Sequence, residues 1–521
     1  MLIDLRKPAI RVMLHKTIGR VTLDGKVPVS QRFVGQKRDV DLTPYLADGS
    51  AVRVMKSVRE PAGAFSISLS DQIDADVLDT LYAIVEPMDL IEIRMSGSGF
   101  APALDAGGMV AGPDGSGEGV VSYALSPDAL AWPPIMMRGF VSGVQRMEGM
   151  GADGKPSRQV VISGQDYGKL LQINQVFYMP NAPDAANMIT SFPFFSKFGE
   201  FDNNFEAGAF TQLLFDRVVN PYVISLRSTQ EASSSASPIL LFKTDIQVTG
   251  AKVSPFGTGG WSGGTISALI QSYGDIGPWN EFFIEDRADG PYAVYRPNPF
   301  MDALTRDFIM PGVTSPAVTD LSRADVISMT SARSDANVAN YFWASSPRFV
   351  MNYDMDIRAL AYQAAQTHEA APFYVRDYGN VSPTLYGTRK MEEATNQSNI
   401  GETNNGNGTP AGEARTNNGI SAIDWLNLRR EQLYGQNKDN VILETGSMRA
   451  KGNENIRAGT YVRLTHGNMR SLYYVVAVTH DFTPFGNYLT EVQFERGTGF
   501  IDRVQRAGPD SAYWDELVTQ P

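Results

Sequence analysis

The sequence contains no cysteine, and this absence removes several kinds of chemistry at once. Disulfide scaffolds, thiolate metal sites and cysteine nucleophiles are all excluded. The chain also lacks any uninterrupted apolar run of the roughly 18–20 residues that a membrane helix needs. Its first residues, MLIDLRKPAIRVML, mix charges with apolar side chains and hold no apolar core of a secretory signal. We therefore expect a protein that is made in the cytoplasm and does not enter a membrane.

Positive charge is also in deficit. The 521 residues include 45 Lys and Arg against 57 Asp and Glu, which gives a net charge of −12. No long basic run occurs, whereas a general binder of nucleic acid or anionic membranes needs a basic patch. Specific nucleic-acid binding is therefore not expected. Apolar residues make up 43% of the chain and charged residues 20%, a composition typical of globular proteins with a large buried core.

The first 180 or so residues carry the pattern of β-strands. Phe65, Ile67 and Leu69 alternate with small polar residues, and such period-two alternation predicts half-buried antiparallel strands. Further strands are predicted at Gly139–Arg146 and Gln159–Ser163. The intervening residues 96–134 are rich in Gly, Ala, Ser and Pro, which predicts a long surface insertion.

The middle of the chain is mixed. The segment GTISALIQSYG predicts a short amphipathic helix, and AANMITSF predicts another. The segment NEFFIEDRADGPYAVYRP predicts a hairpin, because two aromatic-rich strands flank Asp289-Gly290, a favoured turn dipeptide. Residues 354–393 favour helix.

The last third begins with polar sequence and returns to strands. Residues 394–419 are almost free of apolar side chains, which predicts a flexible loop. A helix is predicted over 420–434, where apolar residues recur at helical spacing. Strand patterns then resume in LYYVVAV and in YLTEVQF.

A weak internal repeat links the two β-rich ends of the chain. Near the N-terminus, PMDLIEIRM leads to MRGFVSGVQRM and then SRQVVISGQD. Near the C-terminus, RAGTYVRLT leads to LYYVVAVTHDF and then NYLTEVQFERG. Each set has a turn-led strand, a mostly apolar strand and a polar-led strand closing near a glycine. Either the chain contains a duplicated unit, or antiparallel strands merely share these patterns.

The stretch SGQDYGKLLQ, at 163–172, superficially resembles a phosphate-binding loop. Such a loop has four residues between its first glycine and its Gly-Lys pair, and then Ser or Thr for magnesium. Here three residues separate Gly164 from Gly168 and Lys169, and Leu170 stands in the hydroxyl position. Nucleotide binding is therefore not expected.

The same stretch is better explained as a boundary between elements. Gly164 is predicted to end a strand, and Ser163 and Asp166 suit the cap of a short helix. Leu170 and Leu171 would form the apolar face of that helix. The stretch then marks the exit from a β-rich unit.

Histidines and carboxylates give few candidates for catalysis or metal binding. His466 and His480 could approach each other on adjacent strands, but His15 and His368 complete no ligand spacing such as HExxH. No Gly-x-Ser-x-Gly elbow of a serine hydrolase occurs. Ordinary hydrogen-bonded or exposed histidines are expected.

One carboxylate cluster remains as an alternative. Glu281, Glu285 and Asp286 lie in WNEFFIED, and Glu281 and Glu285 share one face if this segment is a strand. A glycosidase needs two carboxyl groups at a defined separation, one with a raised pKa. Carboxylates such as these are the candidates for cell-wall hydrolysis, and we assign no catalytic, cofactor-binding or metal-binding residues.

Several segments, taken in order, resemble one family. They are VRVMKSVREPAGAFSISLSD with EPMDLIEIRM, RGFVSGVQRM, RQVVISGQDYGKLLQ, WNEFFIEDRADGPYAVYRPNPF, SRADVISMTSARSDANVANYFW, and AGTYVRLTHGNMRSLYYVVAVTHDF with LTEVQFERG. Together they resemble the baseplate hub, or late-control-type tail protein, of contractile-tailed bacteriophages, a family related to the hub part of type VI secretion spikes. Their order and combined coverage carry the resemblance.

The resemblance implies a β-rich α+β fold with two similar antiparallel β-barrel domains, mixed α/β and helical insertions, and assembly into a trimeric ring. Six quasi-equivalent barrels would then join a threefold spike to a sixfold tail tube. The expected domains are a first barrel at 1–178, a mixed α+β domain at 179–320, a second barrel at 321–350 plus 440–505, a helical insertion at 351–439, and a tail at 506–521.

The resemblance also implies a structural, non-enzymatic role in the virion baseplate, assembled in the host cytoplasm. The implied partners are two further copies, the tail tube or its initiator, the central spike, and tape-measure and wedge proteins. No spike needle or lysozyme-like region follows the second barrel, so a separate spike protein is expected. Two alternatives stay open: a hub that also degrades cell wall, and a hub or adhesin of a non-contractile tail.

Overall fold

The computed structural model describes residues 8–16, 39–72, 80–97, 132–150, 154, 156–177, 205–228, 238–253, 263–345, 374–397, 425–467 and 469–507. The insertion predicted at 96–134, the loop predicted at 394–419 and the helix predicted in AANMITSF lie wholly or mostly outside these ranges. The C-terminal tail predicted at 506–521 is described only at its first two residues.

The described residues form 22 strands, namely β1 (Ala9–His15), β2 (Asp39–Asp41), β3 (Ala51–Ser57), β4 (Ala64–Ser70), β5 (Leu90–Ser96), β6 (Ile135–Met150), β7 (Pro156–Asp166), β8 (Gln175–Phe177), β9 (Phe205–Glu206), β10 (Lys243–Ile246), β11 (Lys252–Val253), β12 (Gly263–Thr265), β13 (Asn280–Arg287), β14 (Gly290–Pro297), β15 (Val318–Ser322), β16 (Val326–Ala332), β17 (Tyr341–Ser345), β18 (Lys390–Ala394), β19 (Glu444–Lys451), β20 (Tyr461–His466), β21 (Met469–Phe482) and β22 (Tyr488–Gly497). Their α-helices are α1 (Leu81–Ile84), α2 (Gly168–Ile173), α3 (Ala207–Leu214), α4 (Asn220–Ser228), α5 (Ile266–Tyr273), α6 (Pro383–Tyr386), α7 (425–437) and α8 (Gly499–Ala507). None of these helices is long and apolar enough to span a bilayer.

Thirteen of the strands form one sheet, and its strand order contains the same unit twice. The first unit has the order β3-β4-β7-β6-β5-β1, and the second has the order β16-β19-β22-β21-β20-β15. In each unit these are the second, third, sixth, fifth, fourth and first strands in chain order. One pairing differs, because β1 and β5 are antiparallel whereas β15 and β20 are parallel.

Local irregularities repeat as well. The register between β6 and β7 shifts between Val141 and Gly143, and the register between β21 and β22 shifts between Val475 and Ala477. A helix follows the last strand of each unit, α2 in the first and α8 in the second. Such β-bulges are usually retained as features of a fold, so the shared positions support a common unit.

The mostly antiparallel sheet with few helices confirms a β-rich α+β fold. The described residues do not close either unit into a barrel, since β3 does not pair with β1 and β16 does not pair with β15. The two units instead join edge to edge through β3 and β21. Each unit has its own apolar core, around Val12, Phe65 and Ile162 in the first and around Met448, Tyr474 and Phe494 in the second.

The predicted hairpin and one predicted helix of the middle region are confirmed. Strands β13 and β14 pair around Asp289-Gly290, where Gly290 has φ +146°, a conformation that favours glycine. Helix α5 begins after Thr265, whose hydroxyl accepts a hydrogen bond from the Ala268 N–H at 3.2 Å. Its apolar face enters a third core with α3 and the hairpin.

The helix expected across 354–393 falls outside the described residues up to 373, and residues 374–393 do not form it. Residues 374–397 contain the one-turn helix α6 and the strand β18, which pairs in parallel with β17. Glu392 and Glu393 favour helix by propensity, but strand pairing overrides it, as tertiary context often does. Helix α7 is described from residue 425, within the helix predicted at 420–434.

Candidate assembly interface

The SGQDYGKLLQ stretch is a structural boundary, as predicted, with a small change in position. Strand β7 continues through Asp166, so Gly164 lies inside the strand rather than at its end. A Cβ at Gly164 would lie 2.4 Å from the Phe140 carbonyl oxygen and from the Phe65 ring. The glycine is therefore required by close packing, which its sequence neighbours do not reveal.

The turn after β7 is closed by its own side chains. The Asp166 carboxylate accepts a hydrogen bond from the Gly168 N–H at 2.8 Å. The predicted cap is wrong in detail, because the N-cap of α2 is Tyr167 and no side chain makes a cap hydrogen bond there; Ser163 contacts Gly143 instead. Leu170 and Leu171 are fully buried in the core. Lys169 donates to the buried Val141 carbonyl at 2.7 Å, so its ammonium serves the fold.

The predicted approach of His466 and His480 does not occur, and His368 lies outside the described residues. His466 lies opposite Met469 at the start of β21, and His480 lies eleven residues further along that strand. The two histidines are therefore roughly 35 Å apart at the strand rise. His480 is buried: its Nε2–H donates to the Ile456 carbonyl at 3.2 Å, and its Nδ1 accepts from the Tyr488 hydroxyl at 2.9 Å. Burial lowers the pKa of His480 to about 3. Within the described ranges no group of three His, Asp or Glu could hold a metal ion.

The carboxylates of the hydrolase alternative enter separate ion pairs. Glu281 lines a cleft of about 630 Å³, but Arg296 Nε donates to it at 2.6 Å and the Tyr474 hydroxyl at 2.5 Å. Burial raises the pKa of Glu281, and the charge of Arg296 opposes that effect. Glu285 lies four residues along the strand, roughly 13 Å away, beyond the about 5–9.5 Å between glycosidase carboxyls.

A buried charge cluster lies where the first unit meets the hairpin. Lys56 Nζ on β3 lies 2.5 Å from the Asp166 carboxylate of β7 and 2.7 Å from the Asp286 carboxylate of β13. Burial lowers the pKa of Lys56, but the two carboxylates outweigh it and the pKa is raised. Burial raises the pKa of Asp166, against the pull of Lys56 and with the repulsion of Asp286. One cation therefore holds two carboxylates together.

The hairpin is fastened to both units. Arg138 of β6 donates to the carbonyls of Arg287 and Ala288 at 2.7 and 3.1 Å. Arg296 of β14 donates to the Gly459 carbonyl, beside β20, at 2.5 Å. These charge-assisted bonds fix the middle region against the sheet on both sides of the junction.

The junction between the units is an antiparallel strand pair. The β3–β21 register runs from Ser57 opposite Ala477 to Val52 opposite Phe482. Arg53 lies opposite Asp481 and pairs with it at 3.4 Å. Beyond β3, Arg59 contacts the Glu495 carboxylate of β22 at 2.6 Å. The chain thus shows how one unit binds the next through strand edges.

Two comparable edges have no partner strand among the described residues. Strand β16, at one end of the sheet, pairs with β19 alone among the described strands and is exposed along most of its length. The distal half of β6, residues 142–150, extends beyond β5 and is exposed except for three partly buried positions. Unpaired strand edges are templates for pairing with another chain.

Sequence reasoning missed the Lys56 cluster, although a signal was present. In VRVMKS, Lys56 is in phase with Val52 and Val54, so strand alternation places it on the buried face. A lysine on a buried face needs an acidic partner. The identity of the partners, Asp166 and Asp286, depends on long-range packing.

No family model matches the chain, and no curated protein matches it in sequence. Among solved structures, it is similar to the tail protein from Neisseria meningitidis MC58, with 10% identity, a TM-score of 0.43, and coverage of 94% of this chain and 96% of that chain. It is similar to the 43 kDa tail protein of prophage MuSo2 from Shewanella oneidensis, with 10% identity, a TM-score of 0.40, and coverage of 94% and 96%.

A third similar structure is the E. coli c3393 protein, a component of the type VI secretion system, with 8% identity and a TM-score of 0.32. The match covers 85% of this chain and 72% of that one. Phage tail and type VI secretion proteins are also the classes that the sequence resembles. Identities near 10% and TM-scores below 0.5 are too low to transfer a function.

Proposed function

We propose that the chain is the baseplate hub of a contractile phage tail or a related injection particle, and acts as a structural homotrimer. The observation that carries the proposal is the six-stranded unit repeated in the same order within one sheet. Three chains would supply six similar units. Such a ring can present near-sixfold symmetry to a tail tube while keeping threefold symmetry for a spike.

The proposed mechanism is assembly rather than catalysis. Each copy would contribute its two units to the ring, with one face seating the tube or its initiator and the other the central spike. Tape-measure and wedge proteins are further proposed partners, and the virion baseplate is the proposed location. The net charge of −12 suits a channel wall that does not adsorb nucleic-acid phosphate.

Native mass measurement of the purified chain tests this function, together with co-expression of the tube and spike proteins of the same particle. We expect a species of three chains of 57.0 kDa each that binds both partners. A chain that stays monomeric at micromolar concentration and binds neither partner would contradict the proposal.

A further inference from the structure

We propose that the exposed edge of β16 pairs antiparallel with the distal half of β6 in a second copy of this chain. This contact would repeat, between chains, the β3–β21 junction found within the chain. The inference rests on the proposed function only in taking the partner to be a second copy.

The correspondence between the units fixes which strands must meet. In the order of the sheet, β16 takes the place of β3, and β6 takes the place of β21. The internal junction joins the second strand of one unit to the fifth strand of the other. The second strand of the second unit and the fifth strand of the first unit remain, and these are β16 and β6.

Burial differs at equivalent positions as this contact requires. In β21, the residues facing β3 include Val478, Thr479 and His480, all buried. Aligned on the two bulges, their equivalents in β6 are residues 144–146, which are exposed or only half-buried. Likewise Val54 of β3 is buried, whereas its equivalent in β16, Ser331, is exposed. The β3–β21 junction is buried, whereas the equivalent positions of β6 and β16 are exposed or half-buried.

The same alignment gives a register. The bulge at Val141 and Gly143 matches the bulge at Val475 and Ala477, so Met147 takes the place of Asp481. The pairings can be followed from β22 through β19 to β16, and from β7 through β4 to β3. On these two paths Thr330 takes the place of Arg53. Because Arg53 lies opposite Asp481, Thr330 should lie opposite Met147 of the second copy.

Exposed apolar residues lie at this register and just beyond it. Ile327, which is 56% exposed, sits at the β16 bulge between Val326 and Ser328, and Met150, at the end of β6, is 75% exposed. Met147 itself is 41% exposed. The segment 327–332, ISMTSA, carries no charge and no proline, the devices that normally protect a strand edge. The β16 edge therefore has the composition of a contact surface, whereas the β6 edge also carries Arg146 and Glu148, which pair with each other at 2.8 Å.

The contact is heterologous, because it joins two different edges. Every copy keeps one edge of each kind, so the contact repeats head to tail and closes into a ring if the rotation permits. Around such a ring, the β3–β21 junction within a chain would alternate with the β16–β6 contact between chains. The second and fifth strands of every unit would then be paired.

A disulfide test reads the register directly. Residues opposite each other in antiparallel strands have Cα atoms about 4.5–5.5 Å apart, within the range for a disulfide. The chain has no cysteine of its own, so any disulfide comes from the introduced pair. We expect Met147→Cys with Thr330→Cys to link chains under mild oxidation. Ser142→Cys with Thr330→Cys is the control, since residue 142 lies five residues away, roughly 17 Å.

A charge test uses the pair that the internal junction already contains. Met147→Asp with Thr330→Asp sets like charges opposite each other and should weaken association by up to about fivefold per junction. Met147→Asp with Thr330→Lys copies the Asp481–Arg53 pair in charge and should restore it. Light scattering across a dilution series measures both variants.

The outcomes separate this inference from the proposed function. Linked trimers at the 147–330 pair, but not at 142–330, support both. A linked ring of another size supports the strand pair and contradicts the trimer. A trimer that links at neither pair and ignores both charge changes overturns the strand pair and leaves the trimer standing. A monomer that links at neither pair overturns both.

Discussion

Removing the Lys56 ammonium is the sharpest test of what holds the first unit to the hairpin. Lys56→Met keeps most of the side-chain volume but leaves the Asp166 and Asp286 carboxylates without their shared cation. Both carboxylate side chains are at most 1% exposed, so water cannot replace the lost contact. One oxygen of Asp286 already lacks a hydrogen-bond partner among the described residues.

The expected cost follows from this burial. Deleting one partner of a buried ion pair costs about 3–5 kcal/mol, because an uncompensated charge remains. Domains of ordinary stability unfold with about 5–15 kcal/mol, so the variant should lose a large part of its resistance to urea. An exposed pair is worth about 0–1 kcal/mol. Arg59→Met, which breaks the exposed contact with Glu495, should therefore change little.

The cost should depend on pH in a defined direction. The pKa of Asp166 is raised in the folded protein, so its protonated form favours folding at low pH and this contribution is lost as pH rises through the folded pKa. Without Lys56, Asp166 takes up a proton more readily still, because the cation that favours its charged form is gone. The destabilisation should thus be largest near pH 7.5 and should shrink as pH falls below about 5.

Urea unfolding followed by fluorescence at the two pH values measures both effects. Lys56→Met with Asp286→Asn should recover part of the loss, because one of the two stranded charges is gone. A Lys56→Met protein as stable as Arg59→Met at pH 7.5, or one whose loss grows on acidification, would refute this explanation of the cluster.

Three further changes have defined outcomes. The pKa of His480 is lowered to about 3 in the folded protein. Its contribution to the free energy of unfolding is therefore complete above pH 6.5 and falls by about 2 kcal/mol between pH 6.5 and 5. Unfolding curves of His480→Gln and the parent should accordingly converge on acidification. Gly164→Ala should lower the unfolding free energy by about 1–3 kcal/mol through overpacking, whereas Gly143→Ala, whose Cβ would meet only the Ser163 hydroxyl at 3.6 Å, should be nearly neutral. Glu281→Gln should leave peptidoglycan clearing by the assembled particle unchanged while reducing thermal stability; a selective loss of clearing would instead favour the hydrolase alternative.

The features predictable from sequence were those with short-range causes. The β13–β14 hairpin depends on Asp289-Gly290 between aromatic-rich strands, and α5 depends on local apolar spacing and a Thr265 cap. The repeat was visible only as three strand patterns in each half. The structure extends it to six strands and to a shared bulge position, because strand order is a long-range property that alternation does not encode.

The features that escaped prediction depend on contacts between distant segments. Asp166 and Asp286 are 110 and 230 residues from Lys56, and no local pattern pairs them. Gly164 is required by the Phe65 ring, which approaches from another strand. Strand β18 forms because β17 offers a parallel partner, although its own residues favour helix. In each case tertiary packing overrides or completes the local signal.

Imaging the purified chain at side-chain resolution tests the central claim most directly, since it counts the six-stranded units around the ring axis. The proposed function predicts six units from three chains, and the proposed strand pair adds that β3–β21 junctions inside chains alternate with β16–β6 junctions between them. A particle with any other number of units, or one whose two kinds of unit lie at unrelated positions around the axis, would contradict it.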